Sequence, residues 1–455
     1  MNAITLIAIL YIAELCCSTL LPPTGKNKKE KGKFHDKSYK GPVDQNVFQR
    51  NLVVENPKQQ DILQESGRYF QNTKHRRFKG DVLGYCTPWN KNGFEISKTF
   101  HGKFTIVSPV WLAFSFGNTS TYQLSTHSVQ TKWIKEMRAN NKVNHIVKLI
   151  PRVLFEHWSV DDIIKIYINT ESQTQLIVSL LDAAKTFHFD GYVLEIWNQF
   201  IFAGANLPIV TSVVKFIAQK LKKHNLDIIL AIPPSRGAQV ELFSKQEFDE
   251  LASYVNAFSL MTYDYSSIQR PGPNSPLDWT RQCVEFLAPE KNNLRRSQIL
   301  LGINFYGYNY TPEGGKAILA SEYLDILKSF KGKIQWDNNS KEHFFESNLY
   351  FKLDTVFVLT KKKEVVCGRT QISQLYKNVL LQQCNLKQKI LKNALALVTH
   401  SPDVFAYYVV QGPGYMALLA GEVIHIVKCV PVEVKLAQTQ ECYDQLIRNN
   451  ITYIS

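Results

Sequence analysis

From Gly80 to about Glu346, apolar β-branched runs alternate with helical patterns, the sequence sign of βα units around a parallel sheet. The runs predicted as strands are Asp81 to Cys86, Phe104 to Val110, Ile146 to Phe155, Tyr192 to Trp197, Asp227 to Ile232, Ala257 to Tyr263 and Ile299 to Phe305. Helical stretches lie between them. The one starting near Ser172 puts Ile177, Leu180, Leu181 and Ala184 on one face, and the one after Pro208 does the same with Val210, Val214, Ile217 and Leu221. Seven such strands in order predict a (β/α)8 TIM barrel, and no Gly-x-Gly-x-x-Gly turn supports a dinucleotide fold.

Sites in such a barrel are built at the C-terminal ends of the strands. Along Tyr192 to Trp197, period two places Tyr192, Leu194 and Ile196 on a wholly apolar face and Val193, Glu195 and Trp197 on the other. The second face therefore ends in a carboxylate and an indole. Read alone, the strand is most simply a buried one whose Glu195 is hydrogen-bonded and whose Trp197 packs.

Charge and cysteine usage divide the chain. The formal net charge of +14 owes much to a lysine-rich arm from Lys26 to Lys40 and to the cluster Lys74, Arg76, Arg77 and Lys79. Such a balance favours acidic glycans or anionic surfaces over nucleic acid, although a merely solvated basic face is the plainer reading. Ile4 to Cys17 is too short to span a bilayer and reads as the core of a secretory signal peptide. The predicted organisation is a signal peptide over 1–19, a basic arm and lead-in over 20–79, the barrel over 80–346 and a divergent tail over 347–455. The tail holds Lys361-Lys362-Lys363, a helix-like Gln371 to Leu395 and the apolar runs Asp403 to Val410 and Tyr415 to Leu436. The last run carries Glu422, His425 and Lys428, so no membrane span is expected. Cys86 and Cys283 fall in the barrel, and Cys367, Cys384, Cys429 and Cys442 in the tail permit three pairings. Nothing has metal-ligand spacing, and no cofactor is implied. Sequons at Asn118, Asn309, Asn338 and Asn450 would suit a secreted glycoprotein.

Phe189-Asp190-Gly191 followed by a strand resembles the signature of family 18 glycoside hydrolases, the chitinases, which runs Phe-Asp-Gly-x-Asp-x-Asp-x-Glu. On this chain the acidic positions after Asp190 fall on Val193, Glu195 and Trp197. Ser259-Leu260-Met261-Thr262-Tyr263-Asp264-Tyr265 is similar to the family's Met-x-Tyr-Asp strand, Gly302-Ile303-Asn304-Phe305-Tyr306-Gly307 to its Gly-x-x-x-Tyr-Gly strand, and Val82-Leu83-Gly84-Tyr85 to its first. Thr87-Pro88-Trp89-Asn90, Ser108-Pro109-Val110-Trp111, Glu195-Ile196-Trp197-Asn198-Gln199, Gln335-Trp336-Asp337 and Glu342-His343-Phe344-Phe345-Glu346 resemble a branch of secreted or lysosomal lectins within that family. For that branch a scavenger receptor such as stabilin is an implied partner. After Glu346 the resemblance stops, and Cys429 to Tyr443 resembles retroviral envelope-like proteins.

The resemblance implies a substrate-assisted glycosidase fold in which a glutamic acid protonates the leaving oxygen, and that position is Trp197 here. General acid catalysis supplies about 10²- to 10⁴-fold, and an indole N–H does not titrate. Glu195 lies one pleat deeper. Aromatic faces pack on sugars, so Trp89, Trp111, Trp197, Tyr263, Tyr265 and Tyr306 are candidate saccharide contacts, with Glu195, Asp264 and Asn304 as polar ones. The expected function is a chitinase-like lectin that binds chitin-type oligosaccharides without hydrolysing them. The alternatives are a weak family 18 glycosidase using Glu195, Asp264 or a carboxylate from a loop, and a receptor or acidic-ligand interaction module. No eighth strand of the family type is recognisable, so the barrel is expected to be incomplete unless a tail segment fills the gap, with Phe405 to Val410 the foremost substitute.

Overall fold

A computed structural model of the chain describes residues 40–349, apart from 77, 79, 117–121, 140–144, 238–240, 291–293 and 312–313, together with the strands Lys362–Gly368 and Val423–Ile426. The signal segment, most of the basic arm and the run Phe405 to Val410 lie outside the described residues.

Ahead of the barrel, β1 (Lys40–Val43) and β2 (Gly67–Phe70) pair in parallel. The barrel itself begins at β3 (Val82–Cys86). Its second position is shared by β4 (Ile106–Pro109) and β5 (Leu112–Phe116), which carries an antiparallel companion, β6 (Tyr122–Ser125). The third position is shared by β7 (Lys148–Leu149) and β8 (Arg152–Phe155). The second position breaks just after Pro109, between β4 and β5, and the third at Pro151, which donates no N–H. Then come β9 (Gly191–Glu195), β10 (Asp227–Ile232), β11 (Ala257–Leu260) and β12 (Ile299–Asn304), each paired in parallel with the one before. The seven predicted strands are thus present and in order.

A second, antiparallel sheet follows, with strand order β14 (Gly314–Ile318), β13 (Gly307–Thr311), β17 (Lys362–Gly368), β16 (Glu342–Leu349) and β15 (Gln335–Asp337). The gap between β12 and β3 is filled by β18 (Val423–Ile426), which runs antiparallel to both. A tail segment therefore does complete the ring, but it is Val423–Ile426 and not Phe405 to Val410. Its direction is opposite to the seven others.

Period-two alternation builds two apolar layers. Leu83, Tyr85, Val193, Ile229, Met261 and Leu300 fill the barrel interior. Tyr192, Leu194, Ile228, Phe258 and Leu301 face outward against helix residues such as Leu180, Val214 and Ile217. The helix Thr170–Phe187 starts where Asn169 Oδ1 accepts from Ser172 N at 2.8 Å and stops at His188, whose left-handed φ of 57° ends the ladder. Gly191 follows because a Cβ there would lie 2.0 Å from Asp227 O, so only glycine lets β9 approach β10. The second sheet is tied back to the lead-in segment by His343, which is buried and donates from Nε2 to Glu55 O at 2.8 Å.

Among the described residues no helix is long and apolar enough to cross a membrane, and no group of histidine, cysteine, aspartate and glutamate could hold a metal ion. Cys86 is buried with its Sγ donating to Gly93 O at 3.8 Å, and burial pushes the Cys283 thiol up to about 12.

Candidate functional site

The interior face of β9 ends at Glu195. Arg152, on the neighbouring β8, donates from Nη1 to Glu195 Oε2 at 2.6 Å, and the two side chains are only 6% and 5% exposed. Gln199 approaches the other oxygen, Nε2 to Oε1, at 3.4 Å. The motif carboxylate is therefore already engaged and shut away from solvent. Across the interior, Tyr85 OH and Ser259 Oγ are 2.9 Å apart.

Above this layer lies a tyrosine-rich rim. Tyr263 is buried, and its hydroxyl has no hydrogen-bond partner among the described residues. Burial holds its phenol well above the usual range, reinforced by the neighbouring Tyr85, Asp264 and Glu195. Gly302 on β12 makes room for it, since a Cβ there would sit 2.9 Å from the Tyr263 ring and 2.5 Å from Leu260 O. Tyr306 meets Tyr263 edge-on at 6.4 Å and donates from its hydroxyl to Asp264 Oδ1 at 2.5 Å. Burial, then the adjacent Asp264 carboxylate, raises the Tyr306 phenol as well. Asn304 is fully buried, donates to Tyr306 O at 2.8 Å, and leaves its Oδ1 without a partner among the described residues. Trp89, half-buried, packs against the same interior cluster, as does Tyr308.

Asp264 is half-buried and adopts a left-handed φ of 57°. Such a conformation is costly for a non-glycine residue unless its surroundings impose it. Arg236 donates to Asp264 O at 2.8 Å and to Tyr265 O at 3.0 Å, while Asp264 N donates to Asn274 Oδ1 at 2.9 Å. Tyr265 itself turns from the rim onto Trp279, at 5.0 Å between ring centroids, with Arg270 over its ring.

Two expected contacts are corrected. Trp197 does not share a face with Val193 and Glu195, because β9 ends at Glu195, Ile196 takes a helical backbone and Trp197 opens the helix Trp197–Phe202. Its indole is fully buried in the outer layer, donates to Leu242 O at 2.7 Å and meets Phe243 edge-on at 4.8 Å. Trp111 also belongs to that layer, stacked on Phe94 at 5.6 Å and edge-on to Trp133 at 5.5 Å. Neither can offer a ring face to a ligand. Arg152 was not singled out from the sequence. The signal is there, however: an arginine inside the apolar run Ile146 to Phe155 must find a carboxylate if that run is buried.

A family model described as glycosyl hydrolases family 18 matches residues 81–370, more than half of the chain. The chain belongs to that family. A chitinase from Chromobacterium violaceum is 14% identical with a TM-score of 0.51 over 66% of this chain and 89% of its own. A class V chitinase from Pseudomonas fluorescens is 19% identical, with a TM-score of 0.52 over 66% and 91%. The spore cortex-lytic enzyme SleL of Bacillus megaterium is 17% identical, with a TM-score of 0.52 over 76% and 80%. At these identities the likeness is one of fold, the barrel predicted from strand order. A second family model, described as a viral fusion glycoprotein, matches residues 355–453. That span includes Cys429 to Tyr443 and the closing strand β18.

Proposed function

We propose that this family 18 protein is a chitinase-like lectin, of the branch known as stabilin-interacting chitinase-like or chitinase domain-containing proteins, which binds chitin-type oligosaccharides without cleaving them. The observation that carries this reading is the end of β9. A general acid must bring a titratable proton within hydrogen-bond reach of the glycosidic oxygen. At the family's acid position stands Trp197, turned out of the barrel with its N–H given to Leu242 O. The one carboxylate on the strand, Glu195, is buried against Arg152. The rim nevertheless keeps what a sugar needs: the half-buried Trp89, the Tyr263 hydroxyl, Asn304 Oδ1 and the Asp264 carboxylate.

The same Asp264 favours the second reading, a weak glycosidase, because its carboxylate receives a phenol proton at the mouth of the barrel. One experiment separates the two. The full chain is titrated with chitotetraose by calorimetry and, in parallel, assayed for new reducing ends. The lectin reading expects binding that weakens about fivefold in Trp89→Ala, the scale of a lost aromatic contact of about 1 kcal/mol, with no cleavage. Turnover abolished by Asp264→Asn would replace it with the glycosidase, and absence of binding to chitotetraose or any glycan on an array would end both. Secretion or lysosomal delivery through the Ile4 to Cys17 segment, and a receptor such as stabilin, belong to the same proposal. Their check is the N-terminal sequence of the exported chain and a pull-down with the receptor ectodomain.

A further inference from the structure

The motif Glu342-His343 lies on the second sheet, not in the barrel, yet Glu342 is only 1% exposed. Its two carboxylate oxygens reach across to the segment after Asp264. Oε2 accepts from Asn274 N at 2.9 Å and Oε1 from Ser275 N at 2.8 Å. The β15–β16 hairpin adds a third bond to this segment, from Leu277 N to Ser340 O at 3.1 Å. Held in this way, Asn274 receives the site: its Oδ1 accepts from Asp264 N at 2.9 Å and its carbonyl from Tyr265 N at 2.8 Å. Arg236 grips the same two residues by their carbonyls from the loop after β10, and Tyr306 grips the Asp264 carboxylate from the end of β12.

Asp264 stands in a left-handed conformation, which its own backbone does not favour. Something outside must hold it there. A buried carboxylate accepting two backbone N–H groups is a stiff anchor, since charge-assisted bonds are about twice as strong as neutral ones. We infer that Glu342 is a positioning residue for the rim: through Asn274 it fixes the backbone of Asp264 and Tyr265, so the second sheet sets the place of the Asp264 carboxylate and with it the affinity for oligosaccharide. The binding part of this inference rests on the lectin reading; the mechanical part does not.

The test uses the full chain with Glu342→Gln, Asn274→Ala and the two combined. Glu342→Gln keeps volume but turns one accepting oxygen into a donor facing a backbone N–H. Asn274→Ala removes the link to Asp264 N while leaving both Glu342 bonds in place. Amide exchange should quicken about tenfold at Asp264 and Tyr265 and stay unchanged along Ala257–Leu260, the scale expected for one or two lost hydrogen bonds. Chitotetraose affinity should fall by a similar factor, and the combined variant should bind no worse than the weaker single one, the non-additivity of residues acting along one line. Exchange that rises equally in the barrel strand, or not at all, would make Glu342 merely structural and overturn the inference. So would a loosened Asp264 in a chain whose affinity is unchanged. If the unaltered chain binds no chitotetraose, the lectin reading falls, and the exchange measurement alone decides whether Glu342 positions Asp264. Should Glu342→Gln fail to fold, Glu342→Asp, which keeps the charge but draws it back from the Asn274 and Ser275 N–H groups, carries the same comparison.

Discussion

Arg152 and Glu195 illustrate how much a single buried pair constrains. Removing one partner leaves an uncompensated charge, so Arg152→Met should destabilise the fold by about 3–5 kcal/mol, whereas Arg152→Met with Glu195→Leu should recover most of the loss. Urea denaturation of Arg152→Met, Glu195→Leu and the double variant checks this. An additive, worsening double variant would mean that the pair is not the unit. Trp197 gives the complementary case. With its indole enclosed by Phe243 and bonded to Leu242 O, Trp197→Ala should cost about 3–5 kcal/mol of stability, seen as a lowered Tm. Any change in sugar binding should vanish under conditions where the variant is still folded. Trp197→Glu should yield no chitooligosaccharide cleavage, because the new carboxylate would be buried in the outer layer away from the groove and Val193 would give it no acidic partner. The identities at these positions were readable from the sequence; their directions were not. Alternation holds only while the strand lasts, and nothing in Glu195-Ile196-Trp197 announces that the backbone turns helical at Ile196.

At the scale of elements, the seven parallel strands were legible because each is an apolar run facing a hydrophobic layer on both sides. The second sheet was not. Its strands mix polar and apolar positions with no clean alternation, and Gln335-Trp336-Asp337 with Glu342-His343 stood out only through resemblance. The closing strand was legible only as a need. Seven strands leave two unpaired edges, but which apolar tail segment fills the gap depends on pairing with residues more than a hundred positions away, and propensity does not encode partners. Truncation after Leu349 would remove both β17 and β18 and bare the edges of β3 and β12. The shortened chain should lose its single cooperative melt and elute as aggregates from a sizing column. A monomeric, cooperative product would show that β18 contributes nothing to closure.

For the whole molecule, the tie between the lead-in segment and the second sheet has a chemical condition attached. Burial holds the His343 ring down to about 4, against an ordinary value near 6.5, with the bond to Glu55 O working in the opposite sense. Between those two values the unfolded chain binds a proton that the folded chain refuses. Falling pH therefore favours unfolding: the contribution is whole above about pH 6.5 and is lost progressively toward about pH 4. Denaturation midpoints should drop more steeply across this window in the unaltered chain than in His343→Gln, and parallel curves would show that the ring does not matter. The tie amounts to a latch keyed to acidity. It stays shut at neutral pH and slackens toward about pH 4, so on the proposed lysosomal route the hold on the lead-in at Glu55 would loosen on arrival.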